Sequence, residues 1–475
     1  ISGNNRDTGT IENAVNKGVI HGGVAVGGIV GENSGGISNS NNSGNVIGVI
    51  SSAGGIAGRT TNNSGAIIKA INSGDVSGNA YVAGIVGNNK GVIEDVTNEG
   101  NISAVQQCAG GITGYNQTGG TIVKAYNKGN ITSGNAKGDS FAGGICGFNS
   151  GGSIANSYNT GNVTADGNYV GGVCGANANA QVDSVYNTGT ISGANNVGGV
   201  AGYDGNDEAL DYANIKNAYN TGSVNGNENI GGILGEYGNI ANVYNLGEVA
   251  GSTGVGAIMG ASDAEAVSTV KNAYFLTADG YQKYDDNTVY TTLAEFNQAF
   301  ADGLSEDDKK AWQTGQKQTA PYLQSFLKTI SGDVGNVEIT AGSDYKAALL
   351  ERLQALGITV DPDKILGLEN LAAGEYDLSE LLYSTQDGYD LQLTGKLVLK
   401  AEPQPQPVPS TDSKYTAALT SIQKKAPNNW EQNVPDERRL RIEENRTISL
   451  EKNTVKIEAV LWDEVNLQEE EPLNE

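Results

Sequence analysis

The stretch FAGGICGFNSGGSIANSYNTGNV at residues 141–163 recurs in altered form throughout the first 275 residues of the chain. Its first half is an apolar or small residue, two small residues, Ile or Val, one variable residue and Gly. The closing glycines of this half are Gly31, Gly58, Gly87, Gly114, Gly147, Gly175, Gly202, Gly235 and Gly260. The steps between them run from 25 to 33 residues, a spacing typical of solenoids, propellers and other repeat arrays.

The composition of the repeat predicts strands rather than helices. Each period holds three short apolar segments, one of them GGICG in the quoted unit, and Gly, Asn and Ser separate them. No apolar face with a period of 3.6 residues occurs in the repeat. One period therefore predicts one coil of an all-β parallel β-helix, and nine coils at ~4.8 Å predict a rod of roughly 45 Å. We expect it to be right-handed, because parallel crossovers favour that hand.

One asparagine and one glycine hold fixed positions in the second half of the repeat. The asparagine is Asn127, Asn159, Asn187, Asn220 and Asn245 in later units, and Asn16, Asn42, Asn72 and Asn98 in earlier ones. Stacked at strand spacing, each side-chain amide can bond to the next, so we expect an asparagine ladder. The glycine follows two residues later, and we expect it to adopt a positive φ.

A tyrosine precedes the ladder asparagine in five consecutive units, as Tyr126, Tyr158, Tyr186, Tyr219 and Tyr244. These rings should form an aromatic column along one face of the solenoid. If exposed, they could stack on sugar rings or anchor a protein partner. Alternatively, they only cover the surface between coils and stabilise it. The column is the candidate ligand-binding face.

The repeat resembles the bacterial GLUG repeat, which is named for its Gly-Leu/Ile-x-Gly core. The resemblance covers roughly residues 11–275. It implies a large exported surface protein, such as an adhesin or a filamentous-haemagglutinin-type exoprotein. It also implies a scaffold, and the function of a protein cannot be deduced from its fold alone.

The net charge of the chain limits the classes of partner that we expect it to bind. Asp and Glu number 54 against 29 Lys and Arg, which gives a formal net charge of −25. This argues against nucleic acid and anionic membranes, because their phosphates would be repelled. The sequence contains no run of about 20 apolar residues, which is the length that a membrane-spanning helix needs. No signal peptide opens the sequence, and Ile1 falls inside or just before a coil, so we expect a fragment or processed product.

Two other groups of side chains could have special roles. Cys146 and Cys174 share one repeat position, where a disulfide is geometrically possible, but Val, Ala and Leu fill the same position elsewhere and favour a stack of small apolar residues. The longest insertion, at residues 203–214, carries four carboxylates that either hold Ca²⁺ or form a solvated acidic loop. They are Asp204, Asp207, Glu208 and Asp211. No cofactor is expected.

The composition changes after the last coil. Residues 276–330 predict a cap over the end of the solenoid, with a helix at 292–303. Residues 331–401 predict a small α/β module with a helix at 345–356 and strands at 337–340, 376–383 and 389–400. Residues 402–413 are a Pro-rich linker, and residues 414–475 form a small module or tail.

The sequence favours a structural role over an enzymatic one. It contains no HExxH, GxSxG, P-loop or CxxC motif, and carboxylates do not stack on adjacent coils outside the 203–214 insertion. We expect a secreted or cell-surface protein that spaces or presents binding surfaces for a host glycan, a surface protein, or copies of itself in a filament or biofilm. The alternatives are a polysaccharide-active or phage-tail-type β-helix enzyme and an anchoring segment of a two-partner secretion filament.

Overall fold

The computed structural model describes residues 2–400 except 135–137, 206–213, 261–267, 315–318, 327, 341–343, 369–370 and 385–388. Its repeat region is a β-solenoid of about nine turns, as the periodicity predicts. Three sheets run along it, and neighbouring coils pair in parallel. The linker predicted at 402–413 and the module predicted at 414–475 lie outside the described residues. Contacts divide the chain into two units, Ile1–Glu402 and Pro403–Glu475, and every described residue lies in the first.

Each coil contributes to all three sheets in turn. In the described residues, the strands of sheet 1 are Ser2–Asn5, Val30–Asn33, Ala57–Thr60, Val86–Asn89, Thr113–Asn116, Cys146–Ser150, Cys174–Ala178, Ala201–Gly205 and Leu234–Glu236. The parallel strands of sheet 2 are Thr10–Glu12, Val15–Asn16, Gly36–Ser38, Asn41–Asn42, Ala66–Ile68, Ile71–Asn72, Val92–Asn98, Thr121–Asn127, Ser153–Asn159, Gln181–Asn187, Ile215–Asn220, Asn239–Asn245 and Thr269–Thr277. Those of sheet 3 are Ile20–Gly27, Val46–Gly54, Val76–Ala83, Ile102–Gly110, Ile131–Ser133, Asp139–Gly143, Val163–Ala165, Asn168–Gly171, Ile191–Ser192, Asn195–Gly198, Val224–Asn225, Glu228–Gly231, Val249–Ala250 and Thr253–Gly256.

The AGGIxG half of the repeat is a corner and not the single strand that its apolar character predicts. In the fifth unit the strand of sheet 3 ends at Gly143, and the strand of sheet 1 begins at Cys146. Ile145, at the corner itself, is fully buried. A Cβ on Gly144 would lie 2.2 Å from the carbonyl oxygen of Gly172, so the backbones of neighbouring coils exclude a side chain there.

The glycine that follows the ladder asparagine also serves close packing. The expectation of a positive φ is wrong, since none of these glycines adopts one. A Cβ on Gly129 would lie 2.0 Å from the carbonyl oxygen of Gly100, and one on Gly161 would lie equally close to that of Gly129. The turns stack backbone on backbone, and only Gly lets them approach so closely.

Ile, Val and Ala side chains fill the interior of the solenoid. Cys146 and Cys174 lie in this core in register on neighbouring strands, and both are free thiols. They form part of the apolar stack, and the structure contains no bridge between them. Burial raises the pKa of the Cys146 thiol to about 12.

The cap begins as a hairpin that continues sheet 2. Gly280–Lys283 pairs antiparallel with the last coil, and Val289–Tyr290 follows it. The predicted helix is present at Leu293–Asp302, where Thr292 and Glu295 form a capping box. The remaining cap elements are a 3₁₀ turn at Asp308–Lys310, strands at Trp312–Gln313 and Tyr322–Leu323, and a 3₁₀ turn at Gln324–Phe326.

Residues 328–400 contain helices and strands around a hydrophobic cluster of their own, and their first strand starts inside the range predicted for the cap. Strand Lys328–Thr340 pairs in parallel with Tyr389–Lys400, which pairs antiparallel with Gly374–Asp377. A helix spans Tyr345–Ala355, as predicted. The smaller elements are a 3₁₀ turn at Pro362–Lys364, strands Ile365–Leu366 and Tyr383–Ser384, and a short helix at Leu378–Leu381.

The strand predicted at 376–383 is wrong between its ends, because a short helix at Leu378–Leu381 separates strands Gly374–Asp377 and Tyr383–Ser384. The chain leaves the sheet at Asp377 and enters the short helix, because the Asp377 side chain accepts a hydrogen bond from the backbone N–H of Ser379. This is the preferred arrangement of an N-cap residue.

Candidate functional site

The predicted asparagine ladder is present along sheet 2. The Nδ2 of each member donates to the Oδ1 of the next at 2.7–2.8 Å, from Asn16 through Asn42, Asn72, Asn98, Asn127, Asn159, Asn187 and Asn220 to Asn245. The same nitrogen also donates to the carbonyl oxygen of the glycine two residues later, at 2.7 Å in Asn159. The ladder thus satisfies amides that the stacked coils bury.

A second ladder runs along sheet 1, and our sequence analysis missed it. Asn89, Asn116, Asn149 and Asn177 each donate through Nδ2 to the next member at 2.7–2.8 Å, and Asp204 accepts the last of these bonds. The signal lies two residues after the closing glycine of each corner, in GNN, GYN, GFN, GAN and GYD.

Asp204 is a carboxylate inside the solenoid. Its Oδ1 accepts from Asn177 at 2.7 Å and its Oδ2 accepts from Asn214 at 3.2 Å. Burial outweighs these bonds and raises the pKa of Asp204 to about 7. Asp207, Glu208 and Asp211, its partners in the proposed calcium site, lie outside the described residues. Within the described ranges, no three His, Cys, Asp or Glu side chains are grouped closely enough to hold a metal ion.

The tyrosine column forms as predicted, but most of it is covered. Successive rings from Tyr126 to Tyr244 stack with centroids 4.7–5.0 Å apart. Tyr186, Tyr219 and Tyr244 lack the exposure on which ligand binding by the column depends, since their relative exposures are 2%, 0% and 0%. Tyr126 and Tyr158 keep part of their surface exposed.

Aromatic side chains of the cap provide the cover. Phe326 packs edge-on against Tyr126, Tyr158 and Tyr186, with centroids 4.9–6.5 Å away and planes 72–85° apart. Trp312 packs on Tyr219 and Tyr244, and its Nε1 donates to Asn217 at 3.0 Å. The hydroxyl of Tyr244 donates to the carbonyl oxygen of Pro321 at 2.5 Å. For these three buried tyrosines, the structure therefore supports the alternative in which the rings stabilise the solenoid.

A second row of aromatic rings lies at the corner between sheets 3 and 1. It consists of Tyr81, Tyr115, Phe148, Phe141 and Tyr169, which we call the aromatic strip. Successive rings in this order are stacked, with centroids 5.1–5.7 Å apart and planes 7–23° apart. All five side chains are partly exposed.

The corner explains how the strip forms. Its rings come from the residues immediately before and after the AGGIxG segment, which are Phe141 and Phe148 in the fifth unit. The residue before the corner has a positive φ in Tyr81, Phe141 and Tyr169, at 53°, 41° and 62°. This conformation is uncommon for bulky residues, so the corner imposes it. The bend brings Phe141 and Phe148 together although they are seven residues apart.

Beyond Tyr169 the strip continues with Tyr203, which packs edge-on with its centroid 5.6 Å away, and charged and small residues also lie along this corner. Arg59 lies toward the N-terminal end, 44% exposed at its side chain, and forms an ion pair with Glu32. Glu236 lies toward the C-terminal end and accepts from Asn196 Nδ2 at 2.5 Å. Beside the rings, Cys108 and Ala176 are small and buried. Such a row of apolar ring edges with charges at its ends can bind a partner.

Our sequence analysis placed the candidate binding face on the tyrosine column, most of which the cap covers, and it did not identify the aromatic strip. The letters that mark the strip are visible in YVAGIVGN, CAGGITGY, FAGGICGF and YVGGVCGA. They alternate between the two flanks of the corner, so no single column of the repeat shows them all. In the part of the chain that the structure describes, no helix is long and apolar enough to cross a membrane. No family model, curated protein or solved structure matches the chain.

Proposed function

We propose that this chain is an exported bacterial surface protein of the adhesin type, in which the solenoid presents the aromatic strip for attachment. One observation carries the proposal. The tyrosine column on sheet 2 is largely covered by the cap, whereas the chemically similar rings of the strip keep part of their surface in contact with solvent. Contiguous exposed apolar surface marks an interaction site in a soluble protein.

The scaffold suits attachment because it is pre-organised. Backbone pairing and two asparagine ladders fix each coil to the next, so the spacing of the rings is set before a partner arrives. A rigid surface loses little conformational entropy on binding. The acidic charge and the resemblance to GLUG-repeat proteins also support a location outside the cell.

The orientation of the rings favours a protein partner over a glycan. Sugars stack on ring faces, and in the strip neighbouring rings cover one another's faces. Their edges are what remains for a partner. The cap shows how protein groups use such edges, since Phe326 lies perpendicular to the tyrosines that it covers.

Bead attachment tests the proposal. Beads coated with the full chain should attach to bacterial biofilm, to animal-cell layers or to one another. Replacement of Tyr115, Phe148 and Tyr169 by Ser should reduce this attachment to the level of uncoated beads. Tyr126→Ser is the matched control, because it removes a stacked, partly exposed ring from the other column. If beads carrying the natural chain attach to none of these surfaces, the proposal is wrong.

A further inference from the structure

The residues on the two flanks of the corner form two columns along the rod. The column before the corner reads Ser52, Tyr81, Cys108, Phe141, Tyr169, Asn196 and Asn229. The column after the corner reads Arg59, Asn88, Tyr115, Phe148, Ala176, Tyr203 and Glu236, and strand pairing places each of these beside the next. Phe141 and Phe148 are the middle members.

In each column, residues that lie equally far from the middle phenylalanine on its two sides are complementary to each other. After the corner, Arg59 corresponds to Glu236 and Tyr115 corresponds to Ala176. Before the corner, Tyr169 corresponds to Cys108. A positive side chain thus corresponds to a negative one, and an aromatic ring corresponds to a small buried residue. The remaining rings, Tyr81 and Tyr203, correspond to Asn196 and Asn88.

Such an order is what a two-fold symmetric contact requires. In a two-fold interface, if residue i of the first copy contacts residue j of the second, residue j of the first copy contacts residue i of the second. Consider two solenoids that pack face to face and antiparallel, about a two-fold axis perpendicular to their length. Each column then faces the same column of the second copy, which runs in the opposite direction. Apolar rings at the centre, with polar and charged groups at the ends, also match the usual anatomy of an interface.

We propose that the aromatic strip binds a second copy of this chain, antiparallel to the first, with the two-fold axis at Phe141 and Phe148. This deepens the proposed function, on which it rests, by naming the partner of the strip. In the dimer, Tyr115 of each copy packs over Ala176 of the other, and Tyr169 packs over Cys108. Arg59, which already pairs with Glu32, has donors left for Glu236 of the second copy.

Charge selects the antiparallel arrangement. In a parallel two-fold pair, the column before the corner would face the column after it at the same height. Rings would still meet small residues, but Arg59 would face Ser52 and Glu236 would face Asn229. Both charges would then lose the partner that the antiparallel pair gives them.

The size of the strip sets the strength of the contact. From Arg59 to Glu236 it spans about 29 Å at one strand spacing per coil. It is only two side chains wide, so it buries less than the ~800 Å² per partner of a standard interface. The dimer should therefore dissociate at micromolar concentration, and it becomes lasting where many copies are held close together on a surface.

Sedimentation velocity of the full chain, from about 1 to about 200 μM, tests the dimer. The mass should rise with concentration from 49.0 kDa towards twice that value. Phe148→Ser should weaken association at least tenfold, and Tyr126→Ser should leave it unchanged. A chain that stays monomeric throughout, or a Phe148→Ser variant that associates as tightly as the natural chain, would overturn the proposal.

A charge exchange tests the orientation. Arg59→Glu and Glu236→Arg should each weaken association about threefold or more, and the double variant should restore it. Lys124→Glu is the control, because it breaks the comparable Lys124–Glu94 ion pair on sheet 2 and should not change association. A double variant that associates no better than either single one would rule out the antiparallel pairing.

The two proposals can fail separately. A monomeric chain whose beads still attach to biofilm or animal cells would overturn the dimer alone. A chain that dimerises in solution but whose beads attach to no surface and not to one another would overturn the attachment function alone.

Discussion

At the scale of single residues, the solenoid depends on polar side chains that its own coils bury. In the sheet 2 ladder, each amide from Asn16 to Asn220 donates twice, to the next amide and to a backbone carbonyl, as Asn127 does. Leaving such a group unpaired costs about 1–3 kcal/mol. Asp204 departs from this pattern, since it places a carboxylate where the preceding coils of sheet 1 place an amide.

Replacing Asp204 by Asn should make stability less dependent on pH. The pKa of Asp204 is raised from 3.8 to about 7 in the folded chain, so folding favours the protonated acid. Its contribution is full below about pH 4 and is lost as pH rises through about 7. Asp204→Asn removes a pH-dependent penalty worth up to about 4 kcal/mol and also loses an acceptor for Asn214, so stability should fall less between pH 4 and pH 8 than in the natural chain.

Urea unfolding at pH 4 and pH 8 measures this difference. Asp166→Asn, which removes an exposed carboxylate from the solenoid, is the control and should leave the pH dependence unchanged. If Asp204→Asn shows the same loss of stability between the two pH values as the natural chain, Asp204 is not the group responsible.

At the scale of elements, the cap is held to the solenoid by aromatic packing. The capping box of Thr292 and Glu295 starts the helix, and Phe296 and Phe300 are its fully buried ring side chains. Trp312 contacts Phe300, Tyr219 and Tyr244. It therefore joins the helix of the cap to the tyrosine column.

Trp312→Ala should loosen the cap and expose the column. A large buried aromatic side chain costs about 3–5 kcal/mol when truncated to Ala. Hydrogen exchange should become faster across Leu293–Asp302 and Tyr322–Leu323, with little change in the first four coils. Trp312→Phe should have a smaller effect, about 1 kcal/mol, because it loses mainly the hydrogen bond to Asn217. Equal exchange in the natural and Ala chains would show that Trp312 does not hold the cap.

At the scale of the whole molecule, the solenoid behaves as a one-dimensional stack in which each coil pairs with its neighbours. Its two ends differ, because the cap packs on the coils that carry Tyr126 to Tyr274. A break in the middle should therefore affect the two halves unequally.

Gly129→Ala should separate the stability of the two halves. The new Cβ would lie 2.0 Å from the carbonyl oxygen of Gly100, so neighbouring turns must move apart. Hydrogen exchange should accelerate in the coils before residue 129 more than in those after residue 187, which the cap supports. Gly3→Ala, whose Cβ meets no atom within 4 Å, is the control. Uniform acceleration along the rod would indicate a single cooperative unit instead.

The sequence alone determined what depends on repetition. A residue that returns at the same place in every coil meets the same neighbours, so the parallel stack, the sheet 2 ladder and the tyrosine column follow from the period. The helix at Leu293–Asp302 was equally readable, because its caps and apolar face are local. Local chemistry misled where two structures compete, as at Asp377, where an N-cap ends the predicted strand.

Tertiary structure decided which surfaces are exposed. Part of the cover of the tyrosine column comes from Trp312, which lies 95 residues after its hydrogen-bond partner Asn217, and no local sequence pattern indicates this long-range contact. Close contact between coils, rather than a positive φ, explains Gly129, because contact distance depends on the neighbouring coil. The aromatic strip likewise exists only once the corner folds and brings two flanks of the repeat together. Burial and exposure are properties of the assembled stack, and for that reason the candidate site had to be found in three dimensions.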